Sequence, residues 1–467
     1  MEMAVVDATF YIAVVFLFLW ATIVTGIKAS TKVNNIQSFA ISRHYFGTFA
    51  LTCTITASFV GGGLVIGTAE KAYSFGIAHA IAIMGFGLQL FLTAVLIAPR
   101  MEKFRDCISV GDMLERYYGK AAKVLAGVTW LLFCTGIIVA QTTAIGRVFS
   151  IFLNWDPRIN AMLGVGIVTF YSYFGGIRSV VATDVLQFII IVIILPISIY
   201  FGLKTVGGWG EVVNRVPENH FEVFSHLSVA EFFCMFIAFV IGDALIPPVI
   251  QRLLMASDTK TAQKSMFYSF LIVFFLCITS ALFGLIGYAI NPSIEAVNLM
   301  PYYFNNALPL LFKGFAISAL IAVIMSTADS YLNSASIAFA HDIIKPLVKK
   351  PLSEKHELIV AKRITIFIGC AAILFNFAFT DITHILLATY GFWGPTLLAV
   401  VTGLLFDRII PVWGLYSCYI IGYSSKMLWH LSPCSKTISP LIFGILISTL
   451  CFATIYLKAG KKITHNK

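Results

Sequence analysis

The sequence predicts an all-α polytopic membrane protein, and three observations carry that prediction. Of 467 residues, 59% are hydrophobic and only 12% are charged. Soluble globular chains carry about 25% charged residues, and half that share cannot cover a water-facing surface of this size. Mean hydropathy is +0.90. The apolar residues also fall in long continuous runs, not in the roughly ten-residue alternating segments of an outer-membrane barrel. A soluble enzyme, a nucleic-acid-binding domain and a disordered scaffold are excluded on the same grounds.

A bilayer-crossing helix needs about 20 mostly apolar residues, and the sequence supplies thirteen such candidates. Thr9–Ile27 comes first. Glu2 and Asp7 precede it where a signal peptide would have a basic flank, so it reads as a retained span. Tyr45–Gly67 and Gly76–Ala98 follow, then Ala122–Leu153, Ala161–Phe174 and Val180–Leu203. Lys204–His226 is the longest extramembrane stretch; it is too short for a soluble domain and suits short amphipathic pieces. The second half holds Leu227–Val249, Met266–Ile290, Leu310–Ala340, Ile364–Phe379, Ile382–Phe406, Pro411–Trp429 and Ile438–Leu457. Several exceed the hydrocarbon thickness, which predicts tilted or broken helices.

The net charge of +10 reads as topology, because the charges sit between the runs. With the N-terminus outside, the inner loops hold 24 of the 32 basic residues, Arg252, Lys260 and Lys264 among them. That bias is the positive-inside pattern and places the C-terminus in the cytoplasm. Short loops suggest a bacterial inner membrane. The nine cysteines are scattered through apolar segments without a CxxC, and read as small hydrophobes.

Two places break the apolar pattern. Gly61-Gly62-Gly63, with Gly67 beyond, interrupts the second span. Each glycine weakens a helix by roughly 1 kcal/mol relative to alanine, although Gly63 and Gly67 also fit a GxxxG packing face. Five spans later comes Gly242-Asp243-Ala244-Leu245-Ile246-Pro247-Pro248. Interruptions in corresponding helices of two five-helix halves point to an inverted-repeat transporter with its site at the membrane midplane. Carboxylates inside spans are costly and need partners; they are Asp184, Asp243, Asp329 and Glu231. Ser326, Asp329, Ser330 and Asn333 share one helix face beside Thr327. Hydroxyl and carboxylate oxygens suit a hard cation, and equally suit interhelical hydrogen bonding.

Four stretches resemble the sodium:solute symporter family. They are Ala57–Gly63 with Gly67-Thr68-Ala69-Glu70, Tyr173–Gln187, Gln251-Arg252-Leu253-Leu254, and Met325–Ser336. The triple-glycine stretch and the Ser-Thr-Ala-Asp-Ser run are most similar to the choline-transporting branch. The resemblance implies a LeuT-type fold of two inverted five-helix repeats. It divides the chain into a peripheral helix and inner loop (1–42), a first repeat (43–203), an external loop (204–226), a second repeat (227–406), and two further helices with a tail (407–467). It also implies Na⁺ as the coupling ion, held by carbonyls of Ala57, Val60 and Val323 and hydroxyls of Ser326 and Thr327. A second sodium site in some members matches Asp184, Ser326, Asp329 and Ser330.

The implied function is secondary active uptake of a small organic solute, coupled to Na⁺ by alternating access. Ser58, Phe59, His79, Gln141, Thr142, Asp243, Tyr390, Phe392 and Trp393 are the candidate solute-binding residues. Asp243 beside a helix break favours an amino acid or organic amine, and has capping of the half-helix as its plain alternative. Choline would want a cage of aromatic faces, and Ile137 and Ile246 stand where two of its tryptophans are expected. A non-transporting solute sensor on the same fold is the rival reading. No enzyme motif is present: His356-Glu357 lacks the second histidine of HExxH. The expected partners are the solute, sodium ions and lipid, with no nucleic acid and no obligatory protein.

Overall fold

Backbone polar groups cannot stay unpaired in hydrocarbon, so apolar runs of this length close their hydrogen bonds within themselves. The computed structural model describes residues 2–462 except 32, 44, 151, 152, 154, 243, 351, 379–381 and 437. Among them, eight helices are long and apolar enough to cross a membrane, or ten when each of two bent pairs counts as one span. The expected count of thirteen is not reached by length and hydropathy alone, for two reasons. Pro157–Val206 runs for 50 residues, about 75 Å if straight against a core of about 30 Å. It is interrupted at Gly176, with φ 50° and ψ −136°, where an added Cβ would meet Phe39 O at 2.5 Å. Its two parts match the runs 161–174 and 180–203. Near the C-terminus, the helix Ile382–Leu405 enters that count only from Thr389, and the helix Val412–His430 carries Lys426.

Both expected breaks are present. Thr48–Phe59 and Gly63–Phe75 meet at 57°, and Val229–Gly242 and Pro247–Met255 at 45°. Leu310–Ile337 is the central post: it is buried almost throughout from Ala316 onward. It packs on Pro157–Val206, Lys120–Phe149, the N-terminal helix Glu2–Ser30 and the first broken helix. The last two helices, Val412–His430 and Pro440–Ala459, pack on each other and on Ile382–Leu405.

The two ends of the bundle differ. At the basic end the loops are laced together. Lys103 Nζ bonds the carboxylate of Asp407 and the carbonyls of Leu404 and Leu405 at 3.1 and 3.0 Å. Arg105 donates to Ser257 O at 3.0 Å and Arg43 to Cys107 O at 3.2 Å. Arg252, expected in a loop of this end, is instead on the helix Pro247–Met255 and is 1% exposed. The two prolines suit the start of that helix, and every residue from Pro247 to Met255 is buried, so its last turns lie within the bundle rather than in solvent.

Beside the laced loops lies a network the sequence does not announce. His341 joins Asp112 at 2.8 Å and Glu357 at 2.5 Å. Lys123 Nζ contacts Asp112 at 2.6 Å and Glu115 at 2.7 Å, and Ser109 donates to Asp342 at 2.6 Å. Asp112, His341 and Asp342 offer ligand atoms within 4.8 Å of one another. The Lys123 ammonium already supplies the positive charge, so the cluster reads as a charge network and not as a metal centre. Burial would raise the Asp112 carboxyl, but bonds from His341 and Lys123 hold it well below the usual carboxylate range. A depressed carboxyl stabilises the fold above its unfolded value of about 3.9, and that stabilisation is lost as pH falls toward the folded value. Asp112→Asn is therefore expected to cost on the order of 3 kcal/mol near neutral pH and to flatten the fall in Tm below about pH 4. Melting curves across pH check both; a variant with the same acid profile would remove Asp112 from this role.

Candidate functional site

The site starts at the triple glycine. In an unbroken helix the Gly61 N–H would bond Ala57 O. Here it turns back to Phe59 O at 3.0 Å, and Val60 takes φ −85°, ψ 75°. The Ala57 carbonyl, freed from its helical donor, meets Ser326 Oγ at 2.9 Å. Ser58 O meets Thr327 Oγ1 at 3.4 Å. Both hydroxyls also lie 3.2 Å from Val323 O. Of the five residues expected at the first sodium site, Ala57, Val323, Ser326 and Thr327 are thus joined by direct contacts. Val60 is buried at the break itself. Glycine suits this close approach: a Cβ on Gly61 would stand 3.0 Å from Thr327 Oγ1, and one on Gly62 3.3 Å from Ile324 Cγ1, so each neighbour would have to give by a few tenths of an ångström.

A second cluster lies on the same post. Asp184 Oδ2 accepts from Thr54 at 2.5 Å. Asp329 Oδ2 accepts from Tyr171 OH at 2.7 Å and from Thr183 at 3.4 Å. Ser330 Oγ lies 2.8 Å from Ser58 Oγ and accepts from Arg252 Nη2 at 2.6 Å. Asp184, Asp329 and Ser330 are fully buried. Ser326 does not join them, because its hydroxyl faces Ala57. Thr54, Tyr171 and Arg252 are contributors that sequence reasoning missed. Tyr171, a phenol inside an apolar run, was the available signal.

Above these clusters opens a cavity of about 1450 Å³. Ser58, Phe59, His79, Gln141, Tyr390 and Phe392 line it, as expected from the sequence, together with Gly61–Gly63, Thr327 and Tyr331. Its mouth carries Glu70, Lys71, Glu231, Val297, His430 and Ser435, at the end opposite the laced basic loops. Two expected residues turn elsewhere. Thr142 bonds its own helix at Ile138 O, 2.7 Å away. Trp393 is fully buried, with its ring 4.0 Å from that of Trp130, and donates to Ala244 O at 2.9 Å. It satisfies a carbonyl freed by the second break, next to Leu245 at φ 61°. Asp243 lies outside the described residues.

The profile of the sodium:solute symporter family matches residues 39–421. The chain belongs to that family. Among curated relatives of this symporter is the human high affinity choline transporter 1, 26% identical over 82% of this chain and 68% of its own. Another is the high-affinity proline transporter of Bacillus subtilis (strain 168), 24% identical over 91% of this chain and 93% of its own. Among solved structures, the symporter superposes on a Na⁺-coupled sialic acid symporter in its substrate-bound outward-open state. The TM-score is 0.82 at 18% identity, covering 97% of this chain and 99% of that one. It also matches Mhp1, a nucleobase-cation-symport-1 transporter in a closed conformation, at a TM-score of 0.55 and 15% identity over 90% of this chain and 96% of that one. These likenesses show the LeuT-type fold. Family membership makes the chain a multi-pass membrane transporter with Na⁺ as its coupling ion.

Proposed function

We propose that this symporter takes up a small zwitterionic amino acid with Na⁺ held between the first broken helix and the central post. One observation supports the ion reading above all others: carbonyls released at Gly61–Gly63 face two hydroxyls of a distant helix. Ser326 and Thr327 point at oxygens that lost their own helical donors, and a monovalent cation satisfies all of them together. Ala57, Val60 and Val323 carbonyls complete the set.

The solute reading rests on the cavity floor. The amides at the start of Gly63–Phe75 belong to a half-helix N-terminus, which favours a carboxylate. Gln141 Oε1 is buried without a partner and lies about the same break, where it can accept from an ammonium. Ser58, Phe59, His79, Tyr390 and Phe392 form the remaining walls; Asp243 stays a candidate second partner for the ammonium. Ile137 and Ile246 line the cavity where a quaternary-ammonium cage would need aromatic faces. The name of the proline transporter among the relatives is in keeping with an amino acid.

The basic end, read as cytoplasmic by the positive-inside rule, is the closed end, so the cavity faces outward, with the N-terminus outside and the C-terminus within. The five sequence divisions given above stand as the proposed repeat boundaries, and the bacterial relative fits an inner-membrane location. A 100 mV potential supplies about 2.3 kcal/mol per charge and a tenfold Na⁺ gradient about 1.4 kcal/mol. One Na⁺ therefore supports roughly a 500-fold gradient of a neutral zwitterion.

The test is a thermal-shift screen of amino acids, amines and quaternary amines on purified protein in NaCl and in KCl. A bound solute raises Tm by mass action. An amino acid whose shift grows with Na⁺ is the expected result. A larger sodium-dependent shift with choline or another quaternary amine would overturn the solute assignment.

A further inference from the structure

Arg252 carries a positive charge into the middle of the bundle, and the sodium reading above makes no use of it. Its side chain is 1% exposed. Nη2 donates to Ser330 Oγ at 2.6 Å, Ser58 Oγ at 2.8 Å and Thr54 Oγ1 at 3.1 Å, and stands 3.7 Å from Asp184 Oδ2. Nη1 is tied to its own helix at Pro248 O, 3.4 Å away. The four oxygens come from three different helices: the first broken helix, Pro157–Val206 and Leu310–Ile337. Three hydroxyls and a carboxylate converging on one point make a cage of hard oxygen donors. A guanidinium nitrogen fills that cage.

We infer that Arg252 is a tethered cation standing in the place of a second sodium ion, so that this symporter binds one Na⁺ per cycle. The inference rests on the sodium site proposed above. Arginine stays protonated in proteins, so the charge is permanent. A metal ion in the same cage would sit within hydrogen-bond distance of it, in a buried setting where like charges repel more strongly than in bulk water. Nη2 also already occupies one acceptor position on each hydroxyl. Ser330 Oγ and Asp184 Oδ2, two atoms that a second ion would need, thereby face the arginine, while Asp184 Oδ1 is buried without a partner. Asp329 Oδ2 is taken by Tyr171 and Thr183, and its Oδ1 reaches the cage only through Ser330 Oγ, 3.4 Å away. Arg252 and Ser58 both border the cavity, so a cage emptied of the side chain would be open to sodium from that side.

Equilibrium binding of radioactive sodium to the detergent-purified full chain tests this. Wild type is expected to hold one ion per chain, Arg252→Lys one, Arg252→Ala two, and Arg252→Ala with Asp184→Asn one again. Two ions on the wild type would overturn the inference and leave the first site standing; this count needs no variant to fold. No gain in a monodisperse Arg252→Ala that still binds its first ion would also overturn it. A wild type that binds no sodium would overturn the parent reading and this inference with it.

Discussion

Ser326→Ala and Thr327→Ala are each expected to raise the sodium concentration for half-maximal binding by about ten-fold or more, since a contact to a charged group is worth roughly 1.5–3 kcal/mol and 1.4 kcal/mol is ten-fold. Both hydroxyls sit where the first broken helix has released its carbonyls, at 2.9 Å from Ala57 O and 3.4 Å from Ser58 O. Fold stability without sodium should fall by no more than about 1–3 kcal/mol, the cost of leaving the Ala57 or Ser58 carbonyl without its donor, since Val323 O, the other acceptor of each hydroxyl, stays within its helix. The discriminating measurement is Tm against sodium concentration. Variants that keep the wild-type sodium dependence would remove these two residues from the site; a loss of stability larger than this with unchanged sodium dependence would assign them to packing instead.

Gly76→Ala is expected to prevent accumulation of folded protein, or to lower stability by more than the roughly 0.5–3 kcal/mol of an ordinary substitution. Gly76 has φ 75°, ψ −156°, a conformation that residues with a Cβ rarely adopt. The added Cβ would fall 2.1 Å from His220 O and 2.4 Å from His220 Cα. That contact is where the connector after Pro157–Val206 docks on the first broken helix: Ile77 N–H donates to His220 O at 2.8 Å, and the His220 ring meets Tyr73 O at 3.2 Å. Backbone on both sides leaves nothing to yield. Size-exclusion yield and Tm check it, and a well-behaved variant with unchanged Tm would show that the connector is free to lift.

The features legible in the sequence were those that local chemistry writes into consecutive residues. Three glycines in an apolar run announce a helix that breaks, and two prolines after Asp243 announce another. The spacing of Ser326, Asp329, Ser330 and Asn333 announces a polar face. What such patterns leave out is the partner across space. Tyr171 and Asp329 are 158 residues apart, and His341 and Asp112 are 229 apart. In the sequence Arg252 reads as a loop charge, because arginine next to a span boundary usually is one, and only the packing of Pro247–Met255 against the central post shows it turned inward. Trp393 belonged, by type, among the solute-facing aromatics. The orphan carbonyl of Ala244 claims its indole instead, and nothing in the local sequence records which carbonyl a distant break will free.

Lys103 with Asp407, and Arg116 with Asp106, lie partly in solvent, where dissolved electrolyte weakens attraction between charges within about a Debye length of 8–10 Å. With the basic end as the cytoplasmic side proposed above, opening of this lacing for release is expected to respond to the ionic strength of that compartment. Turnover in reconstituted vesicles should quicken when inert salt is raised on that side only, and a rate indifferent to it would mean that the lacing is not what limits release.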